Sequence, residues 1–350
     1  MPVIVVDKPK GPTSFSVVRS VQRHLRAYCK AGGLGISDAS RIGHGGTLDP
    51  MASGVLPLCI GESTKIASFL LDAHKSYEAT LELGVQTDTL DAEGQVVARN
   101  PVGDISLGRL EDVLSCFRGE IAQVPPMHSA LKRDGKPLYE YARQGIELER
   151  EPRNLTIFEL RLLAFDPIGR LSVFVHCSKG TYIRVLADDI GRALGPGAHL
   201  TALRRTASGP FTLANSISLE ALGQLCADGS ALPSVGLADS LAHMPQVILT
   251  EHQAFRVGMG QKLPWEDIDP QGERAGGLLS LLRPDKTLLA VAERNDAGLA
   301  SLRRVFLRED LPLGRVAANP AQGIEVQSTP KTEQITQNDT GNVHSSARDS

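Results

Sequence analysis

The sequence predicts an α+β fold, and three observations predict it. Runs that alternate apolar and polar residues mark strands: in SYEATLELG, residues 76–84, Tyr77, Ala79, Leu81 and Leu83 share one face. Runs with apolar residues three and four apart mark helices, as Val18, Val21, Leu25 and Tyr28 do. The two kinds follow each other in irregular order, so the chain does not build repeating βαβ units.

Taken in order, VIVV (3–6) is a β-branched run closed by the turn-rich DKPKGPTS, in which Thr13 or Ser14 stands where a helix cap is needed. The helix through Val18 and Tyr28 follows, then a flexible glycine-rich loop, KAGGLGISDAS, over 30–40. After the strand at 76–84, DTLDAEG (88–94) reads as a turn, and Leu110, Val113, Leu114 and Phe117 share the apolar face of another helix. Residues 123–153 mix charge, proline and glycine with no sustained period, which predicts a long excursion from the core; excursions of that length are commonly functional. LTIFELRLLAF (155–165) and RLSVFVHCS (170–178) predict strands, and Ile183, Leu186, Ala187, Ile190 and Leu194 predict a helix after them. A second unit begins near 247. From there to about 317, LLSLL, TLLAVAE and RRVFL alternate with Gly and Asp turns, the pattern of a small β-barrel. The segment 319–350 is rich in Gln, Thr, Ser and Asn, has too little apolar surface for a core, and predicts disorder.

Composition limits the function classes. With 37 Lys/Arg against 40 Asp/Glu, the net charge of -3 argues against a uniformly basic nucleic-acid binder. The charge is uneven, however. Residues 1–50 carry seven bases and three acids, a net of +4, and residues 179–205 carry five and two, a net of +3. Both segments are also compatible with ordinary solvated faces. The five cysteines (29, 59, 116, 177, 226) contain no CxxC pair, which excludes the usual thiolate zinc spacing and suits a reducing compartment. The apolar run in MPVIVVDKPKG is too short for a signal peptide or a membrane span, so a cytoplasmic protein without a membrane partner is expected.

The stretch RIGHGGTLDPMASG (41–54) sets one carboxylate, Asp49, directly before Pro50 and behind Gly45-Gly46. A residue before proline is pushed out of the helical region, so Asp49 is presented by a loop. From composition alone it is either a turn residue, as Asp-Pro commonly is, or a carboxylate offered for chemistry.

Six ordered motifs bear on that choice: VDKPKGPTS (6–14), GGTLDPMASGVLPLCIGESTK (45–65), KSYEATLELGVQTDTLDAEG (75–94), PPMHSALKRDGKPLYEYARQGIE (125–147), HCSKGTYIRVLADDIG (176–191) and GAHLTALRR (197–205). In this order they resemble the TruB-type tRNA pseudouridine synthases, densely over about residues 1–230 and loosely beyond. The resemblance implies a pseudouridine-synthase fold, with a large mixed, mainly antiparallel sheet flanked by helices over 1–246. It implies a PUA-like β-barrel at 247–318 that would contact the acceptor stem. It also implies the reaction: isomerisation of uridine 55 in the tRNA T-loop, without metal, cofactor or guide RNA, by a monomer.

On the same resemblance Asp49 is the nucleophile at the ribose carbon, Arg184 pairs with it, and Tyr77 stacks on the flipped base and serves as a base. His44 fills the space that the flipped base leaves. Tyr182 and Leu203 line the uracil pocket, and Lys8 supports the catalytic loop. The excursion at 123–153 would grip the T-loop; its six bases are nearly balanced by five acids, so it would act by shape and placed contacts. Read without the resemblance, each of these residues also has an ordinary structural reading: Arg184 as a surface residue at a helix start, Tyr77 and Leu203 as core, His44 as a lone structural histidine. A non-catalytic RNA chaperone of the tRNA elbow and a guide-RNA-dependent relative are the competing functions. The loop at 31–40 is longer than the resemblance leads one to expect.

Overall fold

The computed structural model describes residues 3–32, 39–269 and 277–306. The first strand, β1 (Val3–Lys8), is buried on both faces, which is why VIVV is a continuous apolar run and does not alternate. Thr13 caps α1 (Ser14–Lys30), its side chain accepting from the Ser16 N–H. The buried residues of α1, Val17, Val18, Val21, Leu25 and Tyr28, pack with Ile4 and Val6 of β1. Next come β2 (Ile42–His44), β3 (Ala52–Ile60), the short α2 (Ala67–Leu71) and β4 (Lys75–Leu83). In β4, Tyr77, Ala79, Leu81 and Leu83 are buried while Glu78 and Glu82 are exposed, as the alternation predicts.

A ribbon of β5 (Val85–Thr87) and β6 (Val96–Arg99) carries the DTLDAEG turn at its end, and α3 (Leu107–Cys116) leads into β7 (Gly119–Gln123). The excursion opens at this point. It contains a hairpin of β8 (Lys132–Arg133) and β9 (Lys136–Pro137) and one short helix, α4 (Leu138–Ala142). The hairpin turns on Asp134 and Gly135, both at positive φ (51° and 80°), the chemistry that a tight two-residue turn demands. The excursion closes where Arg153 of β10 (Arg153–Asp166) pairs with Gln123 of β7. Then follow β11 (Arg170–Cys177), α5 (Ile183–Leu194), β12 (Ala198–Ser208), β13 (Phe211–Thr212), β14 (Ile217–Ser218), α6 (Leu219–Ala227) and α7 (Leu237–Ser240).

These strands form one ten-stranded mixed sheet in the order β14-β1-β3-β12-β4-β11-β10-β7, with β13 on β12 and β2 on β3. The β3–β12 and β1–β14 pairs are parallel and the others antiparallel. One core packs α3 and α5 against β4, β10, β11 and β12; another packs α1 and α6 against β1 and β3. The middle of the sheet, β3-β12-β4, lies between them.

The C-terminal runs form β15 (Gln246–Ile248), α8 (Glu251–Gly258), β16 (Leu278–Leu282), β17 (Leu288–Arg294) and β18 (Ala300–Val305). Among the described residues these four strands make an open path, β15-β16-β17-β18, and not the closed barrel that the strand pattern predicts. The physical reason lies in how the sheet is covered. Leu282, Leu288, Val291 and Phe306 pack on Val3, Val55 and Leu70 of the main sheet and α2. On the other side Leu279, Leu281 and Leu289 pack on Val257 of α8 and on Leu263, Trp265 and Ile268. With both faces covered, the sheet has no need to close on itself to bury them. All of this belongs to the unit of residues 1–309. The predicted disordered tail (319–350) and most of the 30–40 loop lie outside the described residues. No helix among the described residues is long and apolar enough to cross a membrane.

Candidate active site

Asp49 sits in the loop before β3, in the middle of the main sheet, and its side chain is 40% exposed. The loop beneath it is held almost entirely through its carbonyls. The Lys8 ammonium, itself fully buried, donates to the carbonyls of Ala52 (2.6 Å), Pro9 (3.0 Å) and Pro50 (3.4 Å). The Gly11 N–H donates to Pro50 O (2.8 Å). The Ser14 hydroxyl, at the start of α1, accepts from the Leu48 N–H (2.8 Å) and donates to the Leu48 carbonyl (2.9 Å). The buried Arg205 guanidinium donates to Val55 O (2.7 Å), Thr47 O (3.2 Å) and Gly46 O (3.1 Å). Asp49 is therefore an exposed carboxylate on a clamped backbone.

Arg184 opens α5, just after β11 ends, and its side chain is only 6% exposed. Nη2 meets Asp49 Oδ2 at 3.1 Å and donates to His128 O at 2.8 Å; Nη1 donates to Thr89 O at 3.2 Å and faces Asp91 Oδ2 at 3.4 Å. Asp91 is as buried as Arg184 and accepts from the Thr89 hydroxyl (2.6 Å) and the Glu93 N–H (3.0 Å). The planar fork of an arginine suits this arrangement, because two nitrogens reach two carboxylates and two carbonyls at once. Three distant segments thus converge on Asp49: the DTLDAEG turn, the start of α5, and the excursion through His128.

Tyr77 on β4 lies opposite Arg205 on β12 and Val175 on β11. It is 9% exposed, and burial pushes its phenol up to about 12, with the adjacent Arg205 guanidinium opposing that rise. The ring is thus neutral at ordinary pH, which leaves stacking unaffected and makes a base role depend on a proton acceptor beside it. Leu203 pairs with Ala79 of β4 and Ala52 of β3 and belongs to the same core as Tyr77, Leu48 and Met51. Tyr182 precedes α5; its N–H donates to Gln123 Oε1 at 3.1 Å. Burial raises its phenol pKa, while Ser129 and Arg153 nearby work the other way. His44 ends β2 opposite Leu58, and its pKa is lowered by burial first and by Arg205 second, which keeps the imidazole neutral. Burial brings Lys8 down to about 8; Asp49 and Glu93 act in the raising direction and Arg205 in the lowering one.

The structure brings Asp49, Arg184, Tyr77, Leu203, Tyr182 and Lys8 around the middle strands of one sheet. Two residues that the sequence reading missed are central to the arrangement. Asp91 was absorbed into a turn motif, and its only sequence signal is its place in DTLDAEG. Arg205 is the second arginine of TALRR and gives no local sign of being buried. The two glycines before Asp49 serve the packing of the loop. A Cβ on Gly45 would lie 2.9 Å from Leu70 Cβ, and Gly46 sits at φ +138° beside Arg205 Nη1. Their lack of side chains makes room for the protein's own packing. No group of His, Cys, Asp or Glu able to hold a metal ion occurs among the described residues.

The family models that match are the TruB family pseudouridylate synthase N-terminal domain, over residues 35–183, and the tRNA pseudouridylate synthase B C-terminal domain, over 184–239. The chain belongs to the TruB family of pseudouridylate synthases. A relative called tRNA pseudouridine synthase B from Azoarcus sp. (strain BH72) is 52% identical over 75% of this chain and 82% of its own length. Another of the same name, from Stutzerimonas stutzeri (strain A1501), is 48% identical over 88% of this chain and 96% of its own. Among solved structures, a Cbf5-Nop10-Gar1 complex superposes with a TM-score of 0.68 at 28% identity, over 88% of this chain and 86% of that one. The TruB core spans the clamped loop, the Asp91 turn, the excursion, α5 and Arg205, so every group described around Asp49 except Lys8, Pro9, Gly11 and Ser14 lies within the matched segments.

Proposed function

We propose that this chain isomerises uridine 55 in the T-loop of tRNA to pseudouridine, with Asp49 as the nucleophile. One observation carries the reading: an exposed carboxylate on a clamped loop, oriented by a buried arginine through one oxygen. Among the described residues Asp49 Oδ1 has no protein partner, so one oxygen is free to face a ribose carbon. The target base, stacked inside the RNA, is flipped out to reach it. As the N1–C1′ bond breaks, its electron pair leaves with the uracil and an Asp49 oxygen bonds to C1′, as carboxylates do in retaining glycosidases. The uracil turns, C5 displaces Asp49 from C1′, the C5 proton is lost and N1 gains one. Nothing is added or removed overall. Tyr77 and Leu203 form the apolar floor for the uracil, Tyr182 a wall, and His44 the stacking substitute. The excursion, tied to Arg184 through His128, grips the stem-loop. The C-terminal sheet is read as a PUA-like contact to the acceptor stem.

The relatives at 48–52% identity carry a tRNA name, whereas the Cbf5-Nop10-Gar1 complex stands at 28%, so the guide-free reading follows the nearer sequences. The test is to incubate a tRNA transcript with the protein and map pseudouridine along it. A single conversion at position 55, lost in Asp49→Asn while RNA binding persists, is expected. Isomerisation by Asp49→Asn, or conversion elsewhere, overturns the reading.

A further inference from the structure

The outer face of α1 carries a pattern that the isomerisation site does not use. At 100° per residue, positions 15, 19, 23, 26 and 30 fall within an arc of about 80°, opposite the buried face of the helix. They are Phe15, Arg19, Arg23, Arg26 and Lys30, and all five are exposed. The four cations extend over about 16 Å of helix, at 1.5 Å per residue. The whole of α1 contains no acidic residue, and none of the four has a carboxylate partner among the described residues. Arg19, Arg23, Arg26 and Lys30 line one open groove with Gln22 and Ala27. Like charges three and four residues apart on a helix repel one another. Among the described residues no carboxylate offsets that repulsion.

Two features say what offsets it. Phe15 is 61% exposed and the Arg19 guanidinium lies over its ring at 4.6 Å, so the stripe begins with an aromatic-cation pair. The helix is also registered to the reaction centre, because Ser14 holds both backbone groups of Leu48, the residue before Asp49. A basic amphipathic helix suits a membrane surface only if its apolar face is free. In α1 that face is spent: Val17, Val21, Leu25 and Tyr28 are at most 1% exposed, against β1, β3 and α6. What remains is a row of cations with no apolar face to insert, which fits a polyanionic backbone.

We infer that the outer face of α1 binds the sugar-phosphate backbone of the substrate tRNA outside the T-arm, running from Phe15, next in sequence to Ser14, to Lys30. The inference rests on the tRNA reading above. It places affinity, and not base readout, on this helix: phosphate contacts position an RNA without reading its sequence.

The test uses the full chain, with Arg23→Gln/Arg26→Gln and the charge-keeping Arg23→Lys/Arg26→Lys. Binding is measured over a series of KCl concentrations on a full-length tRNA transcript, an isolated T-arm stem-loop, and vesicles of mixed phosphatidylserine and phosphatidylcholine. For full-length tRNA, the glutamine pair should lower the slope of log K against log salt by about two and weaken binding about tenfold at moderate salt. The lysine pair should keep the wild-type slope. T-arm binding and pseudouridine formation on the T-arm should be unchanged in both. An unchanged slope on full-length tRNA shows a solvated face and overturns the inference. An equal loss on the T-arm overturns it by placing the contact there, and a loss on vesicles alone overturns it in favour of a lipid surface. Absence of isomerisation by the wild-type protein would instead count against the tRNA reading, independently of the slopes.

Discussion

Replacing Arg184 with lysine tests whether Asp49 depends on a fork or only on a nearby positive charge. Nη2 serves Asp49 and His128 O, and Nη1 serves Asp91 and Thr89 O, so the guanidinium holds both carboxylates from two separate atoms. A lysine presents one ammonium on a flexible stem and cannot occupy both places. Burial decides which partner it keeps. Asp91 is 5% exposed and Asp49 40%, so leaving Asp91 unpaired is the costlier alternative and the ammonium stays with it. Asp49 then loses one charge-assisted hydrogen bond, worth about 1.5–3 kcal/mol at most given its partial exposure. At about 1.4 kcal/mol per factor of ten, single-turnover pseudouridine formation falls roughly ten- to a hundredfold. KM changes little, because Arg184 is too buried to meet the RNA. Arg184→Met separates orientation from charge: it strands Asp91 and should cost about 3–5 kcal/mol of unfolding free energy, which the lysine variant largely avoids. Wild-type turnover by Arg184→Lys would refute the argument that the fork orients Asp49.

Asp91→Asn keeps the backbone contacts of the turn but removes the buried charge behind Arg184; turnover should fall about tenfold, with about 1–3 kcal/mol of stability lost to chemical denaturation. Gly45→Ala puts a methyl against Leu70, which is 1% exposed, and should destabilise by about 1–3 kcal/mol; in the double variant with Leu70→Gly, which removes the Cβ at 2.9 Å, the two costs should not add, and additivity would refute the contact. Lys8 and Lys75 are both brought down to about 8, chiefly by burial, against an ordinary 10.5. Between pH 8 and 10.5 the unfolded chain therefore binds more protons than the folded one, and these lysines make stability rise with pH. Cys59 and Cys177, raised by burial to about 12 and about 11, oppose this only above about pH 9. Denaturation midpoints should accordingly increase from pH 8 to 9, by about 1 kcal/mol or more in free energy, and a decrease would contradict the assignments.

What could be read in the sequence was local. The alternation in β4 and the spacing in α1 and α5 fix their faces, because one periodicity per element is enough to do so. Asp49 was legible through its motif, and Pro50 behind it through the rule that a residue before proline avoids the helix. The rest depended on partners far along the chain. Arg205 donates to carbonyls 150, 158 and 159 positions away, and Arg184 to carbonyls 95 and 56 away. A carbonyl acceptor leaves no trace in the sequence, since every residue has one. The hairpin in the excursion went unread: RDGK carries an Asp-Gly turn signal, but two-residue strands are too short to show an alternation. The open path of the described C-terminal strands was not legible for a related reason: alternation says that strands have two faces, not whether the second is covered by closure or by a neighbour.

The same reasoning explains why the loop is clamped by cations. Lys8 and Arg205 are fully or almost fully buried, and the loop groups they hold are carbonyls, not carboxylates. Burying two cations is costly, and exchanging either for an apolar residue would take a donor from three loop or strand carbonyls. The arrangement makes sense if the backbone between Gly46 and Ala52 must not move while something bulky is exchanged in front of it. A carboxylate on that backbone keeps one position while a base leaves, turns and returns. Side chains that grip carbonyls do this without occupying the open side of Asp49, where the proposed reaction places the sugar.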